Sequence, residues 1–517
     1  MQATPASRKS GRSPILRAGE NCWRIETADR VAWLVDGEEY HPTAKQALLN
    51  ARHSVLLVGW DFAPDARLEP RRSDTPTPDR IGDLLEFIAR RRPELDVRVL
   101  IWDKAVLLDV MRRRPPGLQE TRMKQGPVNY VLDRAHPFLA SGHQKLMVID
   151  DRLAFCGGFD FGGNRWDTNR HQPQDLDRQT PAGQPAKPHH DVMLMVDGDA
   201  AAALGDLARE RWRRATGTAL EARRAEVDPW PKAIEPQIRQ ARVGIARTAG
   251  AWHDHPEIRE VERLYLDAIA AARDCIYLES QYLASYEIGD ALARRLQEPD
   301  GPEVIVVTPK RSPALLEHLA MDSARTRIAA DLRRSDRFDR FRLYASLTDG
   351  KEVVVHSKVM VVDDQMLRVG SANLNRRSMG TDFECDLAVE AGPQDEQTRR
   401  AILRFRGRLV ADHLGLQPAE VERISAEGTS LIGTIEHLNG RTNRSLSSFP
   451  EPRPGLRETI MHQSLTDPRH PLLSRPPIRS SILRAAVAGA VGLGAALLLR
   501  RLARAKRTAG SRSEPFR

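Results

Sequence analysis

Two stretches of the chain write nearly the same nine residues: HQKLMVIDD at 143–151 and HSKVMVVDD at 356–364. Each holds a histidine, a lysine two places on and an aspartate seven places after the histidine. A neutral imidazole can attack phosphorus, a protonated one can donate to a leaving oxygen, and an ammonium group can neutralise non-bridging phosphoryl oxygens. Two such pairs facing one another could divide the work of phosphodiester transfer between two histidines. With those cations in place a metal is unnecessary, and neither a metal cluster nor a cofactor is expected. Imidazoles sharing one site in different protonation states would titrate as a coupled pair.

Period-two geometry decides which side chains point together. Residues i and i+2 of a strand share a face, so His143 with Lys145, and His356 with Lys358, are expected to aim at one ligand. Asp150 and Asp363 complete the catalytic motif but lie an odd number of residues away. They open DD turns in VIDDRLAFCGG and VVDDQMLRVGS, each read as strand, tight turn, strand, so their expected work is structural. The returning strands end at Gly157-Gly158-Phe159-Asp160 and Gly370-Ser371-Ala372-Asn373. Asp160 is therefore expected beside His143, and Ser371 and Asn373 beside His356 as phosphate-binding groups, with the glycines letting backbone approach a ligand.

The elements that position these residues also repeat. ALLNARHSVLLVGWDF (47–62) matches AIAAARDCIYLESQYL (268–283), and the buried-strand runs LDVRVLIWD and PEVIVVTPK follow them. Helical stretches DRIGDLLEFIARRRP and YEIGDALARRLQEPD lie between. This alternation predicts an α/β class with a largely covered sheet. The expectation is two similar α/β domains, 20–218 and 229–416, each a mixed sheet flanked by helices and related by a pseudo-twofold axis. Residues 1–19 read as a basic flexible arm, 170–188 as a polar surface loop, and 417–480 as a helical segment followed by a Pro/Ser-rich linker.

The chain has 517 residues, 41% hydrophobic, with a net charge of +9 that favours anionic partners. Its four cysteines show no CxxC pair and no metal-ligand spacing, so neither a disulfide framework nor structural zinc is indicated. No apolar h-region marks a secretory signal at the N-terminus. Near the other end, residues 485–499 are fifteen apolar or small residues between Arg484 and Arg500. As a helix they reach about 22 Å, short of a bilayer core of about 30 Å, and small residues recur at 488, 492 and 496. Residues 482–504 are expected to form a transmembrane or membrane-associated helix on the cytoplasmic face.

The duplicated motif resembles the signature of the phospholipase D superfamily, over about 370 residues. The blocks GGFDFGGNRWDT (157–168), KPHHD (187–191), IYLESQYL (276–283) and VGSANLNRRSM (369–379) resemble the eukaryotic-type subgroup and its bacterial relatives. His189 stands where that subgroup usually has Trp, and Ser280 where it has Asn. The resemblance implies a phosphohistidine route with His143 as nucleophile and His356 as general acid and base. It implies that Lys145, Lys358 and Asn373 hold the phosphate, and that Asp191 and Glu384 orient the histidines. Trp60, Trp166, Gln281 and Asp160 are implied in the substrate pocket. The expected activity is hydrolysis of a glycerophospholipid to phosphatidic acid and free head group, with water or an alcohol as acceptor. The expected partners are the phospholipid and a membrane surface, with no nucleic acid and no need of an oligomer. Cardiolipin synthesis and a metal-independent nuclease or phosphodiesterase activity are the alternatives. The membrane helix has its own test: the intact chain should partition with membranes and a chain ending near Ser480 should not, whereas an intact chain soluble without detergent contradicts the anchor.

Overall fold

SVLLVG and CIYLE, apolar almost throughout, become strands with both faces covered, as central strands beside parallel neighbours must be. The computed structural model describes residues 13–72, 76–103, 126–137, 140–180, 182–312, 315–428 and 430–451. In the first half the strands are β1 (Arg24–Val35), β2 (Ser54–Gly59), β3 (Asp96–Trp102), β4 (Asn129–Asp133), β5 (Leu146–Ile149), β6 (Leu153–Gly157) and β7 (Val192–Asp197). In the second they are β8 (Ile238–Ala249), β9 (Cys275–Glu279), β10 (Glu303–Val307), β11 (Phe341–Thr348), β12 (Val359–Val362), β13 (Met366–Gly370) and β14 (Glu384–Glu390).

The first half pairs in the order β4-β3-β2-β5-β6-β7-β1, parallel among β4, β3 and β2 and antiparallel thereafter. The second repeats that order and those directions as β11-β10-β9-β12-β13-β14-β8. β1 and β8 join the two antiparallel, Ile25 opposite Gly244, so one mixed sheet runs through both halves.

Helices cover the faces. In the first half these are α1 (Asp36–Asn50), α2 (Ile81–Arg91) and α3 (Gly198–Thr216). In the second they are α4 (Glu260–Ala271), α5 (Tyr286–Gln297), α6 (Leu315–Ser335) and α7 (Glu396–Leu414). Alternation sorts each strand's residues. Val55 and Leu57 pack with Tyr40 and Leu48 of α1 and Leu85 of α2. Ile276 and Leu278 pack with Leu264 of α4 and Ile288 of α5. The opposite faces, with Leu56, Val58 and Tyr277, meet in a shared core that includes Leu204 of α3 and Phe405 of α7. Trp33 of β1 lies 5.2 Å from Phe405, ring centre to ring centre, across the two halves.

Three expectations change. Ile15 and Leu16, placed in the flexible arm, are buried, and the backbone N–H of Ile15 donates to Glu390. The Ser-rich residues Arg444–Ser448 form an edge strand, β15, antiparallel to β11, because an edge needs only backbone donors and acceptors plus one anchor, the buried Leu446. In the loop 170–188, Leu176 is exposed, but His171 and Arg178 are buried as partners of Asp167. The expected helix at 482–504 and the linker after 451 lie outside the described residues; among the described ones no helix is long and apolar enough to cross a membrane.

Asp150 and Asp363 show why the turns are written twice. Asp150 accepts hydrogen bonds from the backbone N–H groups of Arg52, His53 and Ser54 at 2.7–2.8 Å, fastening the hairpin to the start of β2. Asp363 accepts from Arg273, Asp274 and Cys275 at 2.8–3.0 Å, fastening its hairpin to β9. Both occupy the left-handed region, φ 55° and 51°, which Asp and Asn tolerate and Ala does not. These carboxylates are spent on backbone, which corrects their inclusion among the catalytic groups. Asp150→Ala or Asp363→Ala should lower stability by about 3 kcal/mol or more, since each orphans three N–H donors, while the Asn variants lose much less. Urea unfolding of the four variants checks this.

Candidate active site

His143 and Lys145 stand just before β5, and His356 and Lys358 just before β12, rather than within the strands as expected. What extends them is the opposite half. The backbone N–H of His143 donates to Phe383 O at 2.9 Å, and that of His356 to His190 O at 2.8 Å. The residue after each acceptor carries a carboxylate. His143 Nδ1–H donates to Glu384, with Nδ1 3.0 and 3.1 Å from its two oxygens, and His356 Nδ1–H donates to Asp191 Oδ2 at 2.7 Å. A carboxylate at Nδ1 fixes the tautomer that leaves Nε2 unprotonated and free for chemistry. So Asp191 and Glu384 hold the histidines of the other half.

The two pairs also feel one another. Burial, reinforced by Lys145 and Lys358, holds the His143 imidazole well below its ordinary 6.5. Burial with Lys358 and Arg165 does the same to His356. Against its own burial, the His356 side keeps Asp191 ionised, well below 3.8. Burial pushes Glu384 the other way, above its ordinary 4.5, against the hydroxyls of Ser371 and Ser378. Both imidazoles are thus pushed toward the neutral form, whereas division of labour between them needs one protonated. An arriving phosphodiester anion is the charge that can let one take a proton.

Around this pairing the two halves differ. Lys145 Nζ lies 3.1 Å from Asp160 Oδ2 and donates to His143 O at 3.0 Å. Asp160 also accepts from the backbone N–H of Trp60 at 2.8 Å. It is thus the partner of Lys145, not a free pocket residue. The corresponding residue of the second half is Asn373, which carries no charge and whose buried Oδ1 has no hydrogen-bond partner. Lys358, which donates to His356 O, is pushed down to about 7 by burial, with Lys145 and Arg165 repelling it and Asp191 pulling the other way.

Ser371, expected on the phosphate, instead donates its hydroxyl to Glu384 Oε2 at 2.5 Å. It steadies the carboxylate that steadies His143. Gly158 is required for a similar reason: a Cβ there would lie 1.9 Å from Asp191 Oδ1, so the close approach is to that carboxylate and not to a ligand.

Of the expected pocket residues, Trp60 stands edge-on to His143 at 6.3 Å and stacks on Trp102 at 5.9 Å. Gln281 is buried just after β9, in the segment where Leu283 pairs with Leu374, one residue past Asn373. Trp166 is buried with the Arg71 guanidinium 5.5 Å over its ring and its backbone against Gly37.

Two further groups escaped the sequence reading. Arg165 acts electrostatically on both His356 and Lys358, and its buried Nε has no partner; the signal was its place in the block GGFDFGGNRWDT. His189 lies 5.2 Å from His356, ring to ring, with its Nε2 3.8 Å from Asp191 Oδ2. The departure from Trp at this position marked it.

A family profile described as "Cardiolipin synthase, PLD-like domain" matches residues 265–405. The chain is 25% identical over 463 residues to phospholipase D A of Dictyostelium discoideum, covering 74% of this chain and 35% of that one. It is 22% identical over 541 residues to phospholipase D alpha 1 of Carica papaya, covering 75% of this chain and 67% of that one. A match to phospholipase D1 of Schizosaccharomyces pombe covers 36% of that protein, so the chain spans about a third of the length of the slime-mould and yeast relatives. Among solved structures, the phosphatidylserine synthase of Haemophilus influenzae shares the fold, with a TM-score of 0.53 at 13% identity over 79% of this chain and 96% of that one. The duplicated motif, the mixed sheet that carries it and these relatives agree: over about three quarters of its length the chain is similar to proteins of the phospholipase D superfamily.

Proposed function

We propose that this chain is a phospholipase D that cleaves the distal phosphodiester of a glycerophospholipid. The products are phosphatidic acid and the free head group, and the phosphatidyl group can pass to an alcohol. The observation that carries the reading is the crossed pairing of each motif histidine with a carboxylate of the other half, which leaves two neutral Nε2 atoms for one phosphate. In this reading the two halves are separate domains related by a pseudo-twofold axis. Their matching strand order supports it, and the axis passes between the two histidines.

In the proposed reaction His143 Nε2 attacks phosphorus. A P–N bond forms as the P–O bond to the head group breaks, and His356, protonated once the anionic phosphate is bound, gives its proton to the leaving oxygen. Water or an alcohol then attacks phosphorus, His356 takes the proton from it, and the P–N bond breaks. Lys145, Lys358 and Asn373 hold the non-bridging oxygens, with Arg165 beside them. Asp191 and Glu384 hold the imidazoles in register, and Trp60 and Gln281 border the substrate. One chain suffices. Water or an alcohol is the acceptor, the substrate is met at a membrane surface through the C-terminal apolar segment, and nucleic acid is not a substrate.

A second reading, phosphatidyl transfer to phosphatidylglycerol to give cardiolipin, is favoured by the description of the profile that matches residues 265–405. Product analysis separates the two: purified enzyme with mixed phospholipids should release phosphatidic acid, and cardiolipin formed from phosphatidylglycerol alone reverses the ranking. Added ethanol should divert product to phosphatidylethanol, and an active enzyme that never forms it contradicts the covalent route. His143→Asn and His356→Asn should each lower kcat by about 10⁴-fold or more. Sulfate keeps its charge from pH 6 to 8, so its inhibition reports the cations. Because Lys358 titrates near 7, sulfate should inhibit less as pH rises through that value; a flat inhibition constant contradicts the role given to Lys358.

A further inference from the structure

Behind His356 lies a second buried cluster that the proposed reaction does not use. Asp36, at the start of α1, His171, from the loop before the HHD block, His190, and Asp412, near the end of α7, each present one atom to a common point. All four are buried, and the four atoms lie within 4.8 Å of one another. His171 Nε2 is 3.2 Å from Asp412 Oδ2 and 3.3 Å from Asp36 Oδ2. His190 Nδ1 is 3.4 Å from Asp412 Oδ2 and 3.0 Å from Asp36 Oδ1. Asp36 Oδ2 is buried and receives no hydrogen bond.

The outer nitrogens decide how the rings face. His171 Nδ1 meets Asp167 Oδ2 at 2.9 Å, and His190 Nε2 meets Glu279 Oε2 at 3.1 Å. A carboxylate on the outer nitrogen of a histidine is the arrangement that fixes the tautomer of a metal ligand. With the outer N–H so used, each ring either carries a second proton, which against burial Asp36 and the neighbouring carboxylates favour, or is neutral and turns its lone pair to a cation standing between the carboxylates. Charge-assisted hydrogen bonds are about 2.7–2.9 Å long. All four inner separations are longer, and three of them lie near the ~3.3 Å edge of a tetrahedron with bonds of about 2.0 Å.

The charge count points the same way. Four carboxylates (Asp36, Asp167, Asp412, Glu279) meet two guanidinium groups, Arg178 on Asp167 and Arg444 on Asp412, leaving two negative charges. His413, whose Nε2 is 3.0 Å from Glu279, serves as a neutral donor there. Two imidazolium groups meet those charges in the metal-free protein, and one divalent cation held by the neutral rings gives the same balance.

We propose that His171, His190, Asp36 and Asp412 bind one divalent transition-metal ion of the Zn²⁺ class. The two-nitrogen, two-oxygen donor set suits it, and burial excludes further water. The ion would tie α1 and the HHD segment of the first half to α7 of the second. It stands apart from the reacting phosphate, and it supports the site because His190 O receives the N–H of His356 and Asp191 follows His190. No residue spacing in the chain announces it, because the ligands come from positions 36, 171, 190 and 412.

The test uses the full chain, stripped with chelator and then supplied with Zn²⁺ or Co²⁺ alone. One equivalent of Zn²⁺ should be retained through dialysis and should raise the thermal unfolding midpoint, and Co²⁺ should give the intense visible bands of a tetrahedral site. His171→Gln and Asp412→Asn should each weaken binding by about 100-fold or more, and Asp167→Asn by about 10- to 100-fold with the Co²⁺ bands kept. Wild-type protein that retains no stoichiometric metal and shows no bands overturns the proposal, whether or not the variants fold. So does a band that survives His171→Gln but is lost in His356→Ala, which would put the ion at His189, Asp191 and His356 instead.

Discussion

Each motif histidine is gripped at Nδ1 by a carboxylate that the other half supplies, and the rest of the site depends on this exchange. A neutral imidazole is a useful nucleophile or base only if its tautomer is fixed and its free nitrogen is aimed. Among the described residues, no carboxylate of a histidine's own half takes its Nδ1. Across the β1–β8 junction, Glu384 reaches His143 and Asp191 reaches His356, and the backbone bonds to Phe383 and His190 set the spacing. Ser371 and Gly158 matter because they hold, or leave room for, those carboxylates.

Repetition builds the site, and departures from repetition make it work. Equal neighbours would give two equal histidines, yet nucleophile and acid need different surroundings. The sharpest departure is at one corresponding position: Asp160 lies against Lys145, whereas Asn373 carries no charge, and burial with Lys145 and Arg165 lowers the proton affinity of Lys358. In the proposed reaction a bound phosphate monoanion would supply the missing negative charge on that side. In that proposal the site is poised for its ligand, with imidazoles held toward the neutral form and one cation whose charge the substrate would stabilise.

The repeated motif, the order of strands and helices and the hairpin turns were legible in the sequence because each is a local pattern of period two or 3.6, or a tight turn. Parity and the DD turns pointed to structural work for Asp150 and Asp363, although the motif had placed both among the catalytic groups. Partnership was not legible. That Asp191 and Glu384 orient histidines came from resemblance, and nothing in the order of residues says the pairs cross between halves. Ser371 was set on the phosphate because a hairpin predicts nearness but not which acceptor takes a hydroxyl. The loop 170–188 read as surface because it is polar, yet His171 and Arg178 are buried: their charges are met by Asp36, Asp167 and Asp412, one of them over two hundred residues away. Arg444–Ser448 read as linker because an edge strand carries little side-chain signal.

The central claim is that both imidazoles act on one phosphate. A crystal structure with vanadate bound tests it most directly. The account predicts a single five-coordinate vanadium bonded to His143 Nε2, its opposite axial oxygen within hydrogen-bond reach of His356 Nε2, and equatorial oxygens on Lys145, Lys358 and Asn373. Vanadate bound by one histidine alone, with the other imidazole out of reach behind packed protein, would contradict it.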